Sequence, residues 1–88
     1  PALSSDAREA VRALYRVLNQ LGAEDRSLFV ARYVEKMEMT EVASAHGISL
    51  STAKRRIARL AQRVEARIKT EPALAEYGGQ LTQGGRVD

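Results

Sequence analysis

Seven side chains between Ser51 and Lys69 carry positive charge: Lys54, Arg55, Arg56, Arg59, Arg63, Arg67 and Lys69, opposed only by Glu65. The rest of the 88-residue chain sets its other seven Lys and Arg against ten Asp and Glu, so a net charge of +3 conceals a basic segment on an acidic remainder. Ammonium and guanidinium groups gathered this way form the electrostatic footprint of a nucleic-acid binder. The same charges would also suit a long, solvated helix face, and charge alone leaves the two readings open.

Catalytic chemistry finds less support. Glu24 beside Asp25 is explained as a helix start, where acids favour the positive end of the helix dipole, more simply than as an acid-base pair. His46 is the single histidine and there is no cysteine, so no metal-ligand set is available, and a packed, partly exposed structural role is expected for the imidazole. Gly78, Gly79, Gly84 and Gly85 lack the strand and helix of a phosphate loop. No catalytic residue, cofactor or metal is expected, and the chain is read as a non-enzyme.

The basic groups must be carried by a helix. Ala53, Ile57, Leu60, Val64 and Ile68 recur at three- and four-residue steps, with Ala61 beside them, which places them on one apolar stripe. At about 100° per residue, Arg55 and Arg59 point away from that stripe, with Ser51, Thr52, Gln62 and Arg63 around them and Lys54 and Arg56 on the flanks. Ser49 is the expected N-cap, and Thr70 to Pro72 the expected end, about 20 residues or 30 Å later.

Three more helices are expected upstream. "SSDAREAVRALYRVLNQL" opens with capping side chains, repeats Val11, Leu14, Leu18 and Leu21 on one face, and should stop at Gly22. "AEDRSLFVARYVEK" carries Leu28, Phe29, Ala31, Tyr33 and Val34 and should sit centrally. "TEVASAHG" is short, turns Val42, Ala43 and part of His46 inward, and stops at Gly47, where a left-handed backbone costs least. A short helix, a tight turn and a long basic helix make a helix-turn-helix, whose second helix fits the major groove. Small Ala43 admits the approach, and Ile48 with Ala53 and Ile57 closes the wedge. The expected fold class is all-α, a small bundle of about four helices containing this motif. Residues 1–72 would form the domain, and 73–88 a short helical turn over "ALAEY" followed by a disordered Gly-rich tail.

Length and composition bound the rest. A chain this short buries only around 60 to 65% of its unfolded surface, enough for one modest core and too little for a deep catalytic cleft. No apolar run approaches the roughly 20 residues that cross a bilayer, and "PALSSDAREA" lacks a signal-peptide layout. With no cysteine to suggest an oxidising compartment, a soluble, cytoplasmic chain with no membrane partner is expected. It begins at Pro1 without an initiator Met, as expected where that Met has been removed or where the chain is a piece of a longer protein, the second being the favoured reading.

From Leu18 to Val64 the sequence resembles region four of sigma factors of the sigma-70 family, especially the extracytoplasmic-function (ECF) type. The pieces that carry the likeness are "FVARYVE", the "TEVA" start of the first motif helix, and "GISLSTAKRRIARL" as the recognition segment. The resemblance implies a domain that reads double-stranded promoter DNA at the upstream (−35) element and contacts the β flap of core RNA polymerase, with an anti-sigma protein as a further candidate partner. Positions matching the family's DNA-contacting helix are Ser51, Thr52, Lys54, Arg55, Arg56 and Arg59, and Arg63 joins them as a basic residue of the outward face. Glu41 matches an acidic position at the start of the preceding helix. Lys36 stands where many relatives have Gly, Glu38 replaces a better cap, and His46 replaces a usual leucine. These 88 residues hold nothing like region two, so they are not expected to initiate transcription alone.

Arg55 and Arg59 are the candidates for base edges, because arginine can donate two bonds to guanine O6 and N7, with Thr52 as a supplement. Lys54, Arg56 and Arg63 are the candidates for phosphate contact. Two rival functions stand beside promoter reading: a dimeric helix-turn-helix regulator, and a sigma-like interaction module that binds an anti-sigma factor or polymerase with little DNA affinity.

Overall fold

Ser4 opens the first element: its backbone is extended and its hydroxyl accepts from the Ala7 N–H at 3.1 Å, satisfying one donor of the first turn. Helix α1 then runs over Ser5–Asn19, α2 over Ala23–Phe29, a π-helical turn over Val30–Val34, α3 over Met39–Ala45 and α4 over Leu50–Thr70. The computed structural model describes residues 4–74. These contain no strand, and the architecture is the all-α helix-turn-helix expected from the sequence. No helix among the described residues is long and apolar enough to cross a membrane. Leu74 ends a turn that its N–H closes on the Glu71 carbonyl at 2.9 Å, and its side chain is buried. The remainder of the turn expected over 73–77, and the Gly-rich tail, lie outside the described residues.

Contacts gather the chain into two units, with α4 running through both. One holds α1 and the part of α4 from Gln62 onward, and its buried side chains are Ala13, Val17, Leu18, Val64, Ile68 and Leu74. Polar groups link its helices at the surface. Arg67 donates to the Gln20 side-chain oxygen, and Arg16 Nε lies 3.5 Å from Glu71 Oε1. The inward face of α1 is shifted from the one expected: Leu18 and Leu21 are buried and Leu14 is half-buried, but Ala13 and Val17 are buried too and Val11 is 42% exposed. The expected stripe passed over Val17 and the alanines. Counting them moves the centre of the apolar arc toward Ala10 and Val17, and Val11 falls at its rim.

The other unit spans Leu21–Ala61, and its core comprises Leu21, Leu28, Phe29, Ala31, Val42, Ala43, Ala53, Ile57 and Leu60. Leu28 is fully buried, which stabilises the fold by roughly 1.5–3 kcal/mol. Phe29 and Tyr33 stack at a tilt with ring centroids 4.8 Å apart. Gly22 does not end α1, as expected, but begins α2: its φ is −62°, and its carbonyl accepts from the Arg26 N–H at 2.9 Å. Helix α1 has already stopped at Asn19.

The second helix also departs from the expected continuous α-helix. From Val30 the bonding widens, with the Glu35 N–H donating to the Val30 carbonyl at 2.9 Å. A π turn holds one residue more than an α turn, so it rotates the phase of the residues after it. Val34, one of the apolar residues of the helix expected to sit centrally, is carried outward and is 59% exposed. The chain then reverses at Lys36, whose φ of 62° is left-handed. Two bonds hold that reversal: the Met37 N–H reaches the Ala31 carbonyl at 3.0 Å, and Arg32 Nη1 donates to the Met37 carbonyl at 2.9 Å. The turn therefore accommodates a Cβ where Gly would be relaxed, as the sequence required of it.

Candidate nucleic-acid interface

Helix α3 starts on a carboxylate cap. Glu38 is its N-cap residue, and Glu41 reaches back to accept from the Glu38 N–H at 3.0 Å. Glu41, matched in the sequence to an acidic position of the motif, is thus engaged in capping. At the other end the Gly47 N–H donates to the Ser44 carbonyl at 3.2 Å and the Ile48 N–H to the Ala43 carbonyl at 3.0 Å. This pair of bonds forms a Schellman closure, which needs a left-handed residue, and Gly47 supplies it with φ 66°. The turn is therefore tight for a reason local to a few residues.

Ser49 begins α4 on the far side of that turn. Its hydroxyl accepts from the Thr52 N–H at 3.1 Å and donates to Thr52 Oγ1 at 2.9 Å, and its carbonyl accepts from the Ala53 N–H at 2.9 Å. The expected N-cap is in place. The buried stripe of α4 is the expected one, with Ala53, Ile57, Leu60, Val64 and Ile68 all buried.

The outward side of α4 carries most of the site residues read from the sequence. Ser51, Lys54, Arg55, Arg59 and Arg63 are exposed, while Thr52 and Arg56 are partly covered. Arg55 and Arg59 leave the helix one turn apart, opposite the stripe. Ser51 to Arg59 lie in the Leu21–Ala61 unit with the helix-turn-helix, and Arg63 lies on the stretch of α4 that belongs to the other unit. Among the described residues no partner engages Lys54, Arg55 or Arg59, whereas Arg56 Nη1 lies 3.2 Å from Glu24 Oε1 on α2.

That pairing was not legible in the sequence, and neither was a second one beside it. Ser27 Oγ lies 2.9 Å from His46 Nε2, and His46 Nδ1 lies 2.9 Å from the Val42 carbonyl. A carbonyl only accepts, so Nδ1 carries the proton, and in the neutral ring Nε2 accepts from the Ser27 hydroxyl. His46 is half-buried at the end of α3 and has the structural role expected of it. Glu24 and Ser27 sit three residues apart on one face of α2, and together they meet the reading helix and the motif turn.

A family model for Sigma-70, region 4, matches residues 11–64, more than half of the chain. The chain belongs to the sigma-70 region 4 family. No curated protein and no solved structure gives a significant match. Membership places the chain among the DNA-binding, helix-turn-helix domains of sigma factors, which act in transcription. The region 4 match begins on α1, takes in α2, the π turn and α3, and stops inside α4 at Val64. It therefore covers Ser51, Thr52, Lys54, Arg55, Arg56, Arg59 and Arg63, and also Glu24 and Ser27.

Proposed function

We propose that this region 4 domain binds the upstream (−35) promoter element as part of an ECF-type sigma factor, contacts the β flap of RNA polymerase, and works in the cytoplasm by binding alone, without catalysis. The observation that carries the DNA part is the outward face of α4 within a matched helix-turn-helix: Lys54, Arg55 and Arg59 are exposed directly after the Ser49 cap, with no partner among the described residues. A helix presented in this way enters the major groove by its first turns. Arg55 and Arg59, with Thr52 beside them, are assigned to base edges, and Lys54, Arg56 and Arg63 to phosphates that fix register. Ser51, exposed in the first turn, is assigned to the sugar-phosphate backbone.

One observation favours the interaction-module reading as a second role. On α1, Val11 and Tyr15 lie one turn apart and are 42% and 62% exposed. Apolar groups presented together suit a protein partner, and polymerase or an anti-sigma protein fits that description.

Selection of bound sequences from random duplex DNA, with and without core polymerase, tests the proposal. Enrichment of one short element, stronger with polymerase present, is the expected result. Enrichment of a palindrome by a stable dimer would replace the sigma reading with a dimeric regulator. No enrichment in either arm would leave the protein-interaction module.

A further inference from the structure

Among the cations in the first turns of α4, Arg56 differs from Lys54, Arg55 and Arg59 in being held. Its guanidinium meets the carboxylate of Glu24, 32 positions earlier in the chain, at 3.2 Å. The approach is not the chance of a loose side chain alone. Ser27, on the same face of α2, is bonded to His46 in the motif turn at 2.9 Å, which keeps that face of α2 against the helix-turn-helix. The pair is also open to solvent, with the Arg56 and Glu24 side chains 41% and 68% exposed. An exposed pair of this kind is weakly held and can be exchanged for another anion.

We infer that Glu24 is a stand-in for a DNA phosphate at Arg56: it occupies the guanidinium in the free protein, yields it on binding, and so sets affinity without altering sequence preference. The inference rests on the DNA-binding reading above and names a residue off the reading helix that tunes it. The charge balance gives it a signature. When Arg56 leaves Glu24 for a phosphate, a counterion leaves the DNA, but the vacated carboxylate recruits a cation from solution. The uptake offsets part of the release, so a paired Arg56 adds less to the salt dependence of the wild-type chain than an unpaired one would. Removing the carboxylate leaves the release uncompensated.

Glu24→Gln keeps the shape and the hydrogen-bond acceptor but removes the charge. Wild type, E24Q, R56A and the double variant E24Q/R56A of the 88-residue chain would be titrated by fluorescence anisotropy against a preferred and a scrambled duplex across a salt series, with thermal melts to check folding. E24Q should tighten both duplexes by about threefold to fivefold, the most that an exposed pair withholds. Its log-log salt slope should steepen by up to about 0.9, the full value of one phosphate contact. In the R56A background both effects should largely vanish. Equal tightening by E24Q in both backgrounds would show a long-range charge effect and overturn the exchange, as would an unchanged slope. A change in the ratio between preferred and scrambled duplexes would overturn the claim that preference is untouched. Absence of binding to either duplex by every variant, folded by their melts, would overturn the DNA-binding reading itself and this inference with it.

Discussion

Arg55 and Arg59 leave α4 on the same side, one turn apart and opposite the buried Ile57 and Leu60, so both can enter one groove while the stripe stays in the core. Lys54 is exposed as well, but an ammonium is a point charge that suits phosphate better than the paired acceptors of a guanine edge. Arg55→Ala or Arg59→Ala should therefore cost about 1–3 kcal/mol on the preferred site and relax its preference, whereas Lys54→Ala should weaken all sequences alike. Competition binding with matched and scrambled duplexes reads the difference. Equal losses on both duplexes for all three variants would remove the division of labour. The residue types at these positions were visible in the sequence, and so was their outward direction, because period alone sets direction on a long helix. Arg56 was visible as a cation only. No local spacing points to its partner on α2.

Two turns around α3 put the same demand on different residues. Lys36 and Gly47 have nearly the same φ, 62° and 66°. Only glycine adopts it without strain, while a side chain there costs about 1–2 kcal/mol. Nothing lies within 4 Å of a Cβ built on Gly47, so its replacement meets no clash and its cost is conformational. Gly47→Ala should destabilise by about 1–2 kcal/mol, and Lys36→Gly should stabilise by about 0.5–1 kcal/mol after the added freedom of the unfolded chain is subtracted. Thermal melts of both variants check the pair of signs. A loss on Lys36→Gly would mean that the lysine side chain contributes more than its backbone costs. The turn at Gly47 was readable because glycine announces itself, and the strain at Lys36 only because the family likeness supplied the expectation of glycine there.

The chain as a whole is a weakly cationic body with its positive charge concentrated on α4, and its DNA affinity should be dominated by counterion release. About four to six phosphate contacts would give a log-log salt slope of about −4 to −5. A single reading helix buries only about 600–1,000 Å² of protein surface on DNA, so binding by these residues alone should be weak. On the proposed function, specificity useful in a cell would then require tethering to polymerase, which raises the effective concentration of DNA at α4 without improving the contact itself. An anisotropy titration across a salt series measures the slope directly. Tight, salt-insensitive binding would exclude a lone module of this kind.

Local chemistry determined the elements. Capping by Ser4 and Ser49, the stripe from Ala53 to Ile68 and the glycine at 47 each act within a few residues, so the all-α class, the helix-turn-helix and the outward cations could be read directly from the chain. Tertiary structure decided what depends on residues far apart. The rotation of α1 that exposes Val11 depends on which arc of a broadly apolar helix meets a core, and helical period cannot choose among neighbouring arcs. The π turn that carries Val34 outward hangs on one extra residue held by the Glu35 bond and the Arg32 staple. The Glu24–Arg56 and Ser27–His46 pairs exist because α2 lies beside the motif, and polar side chains choose partners by proximity in space, which spacing along a sequence does not encode.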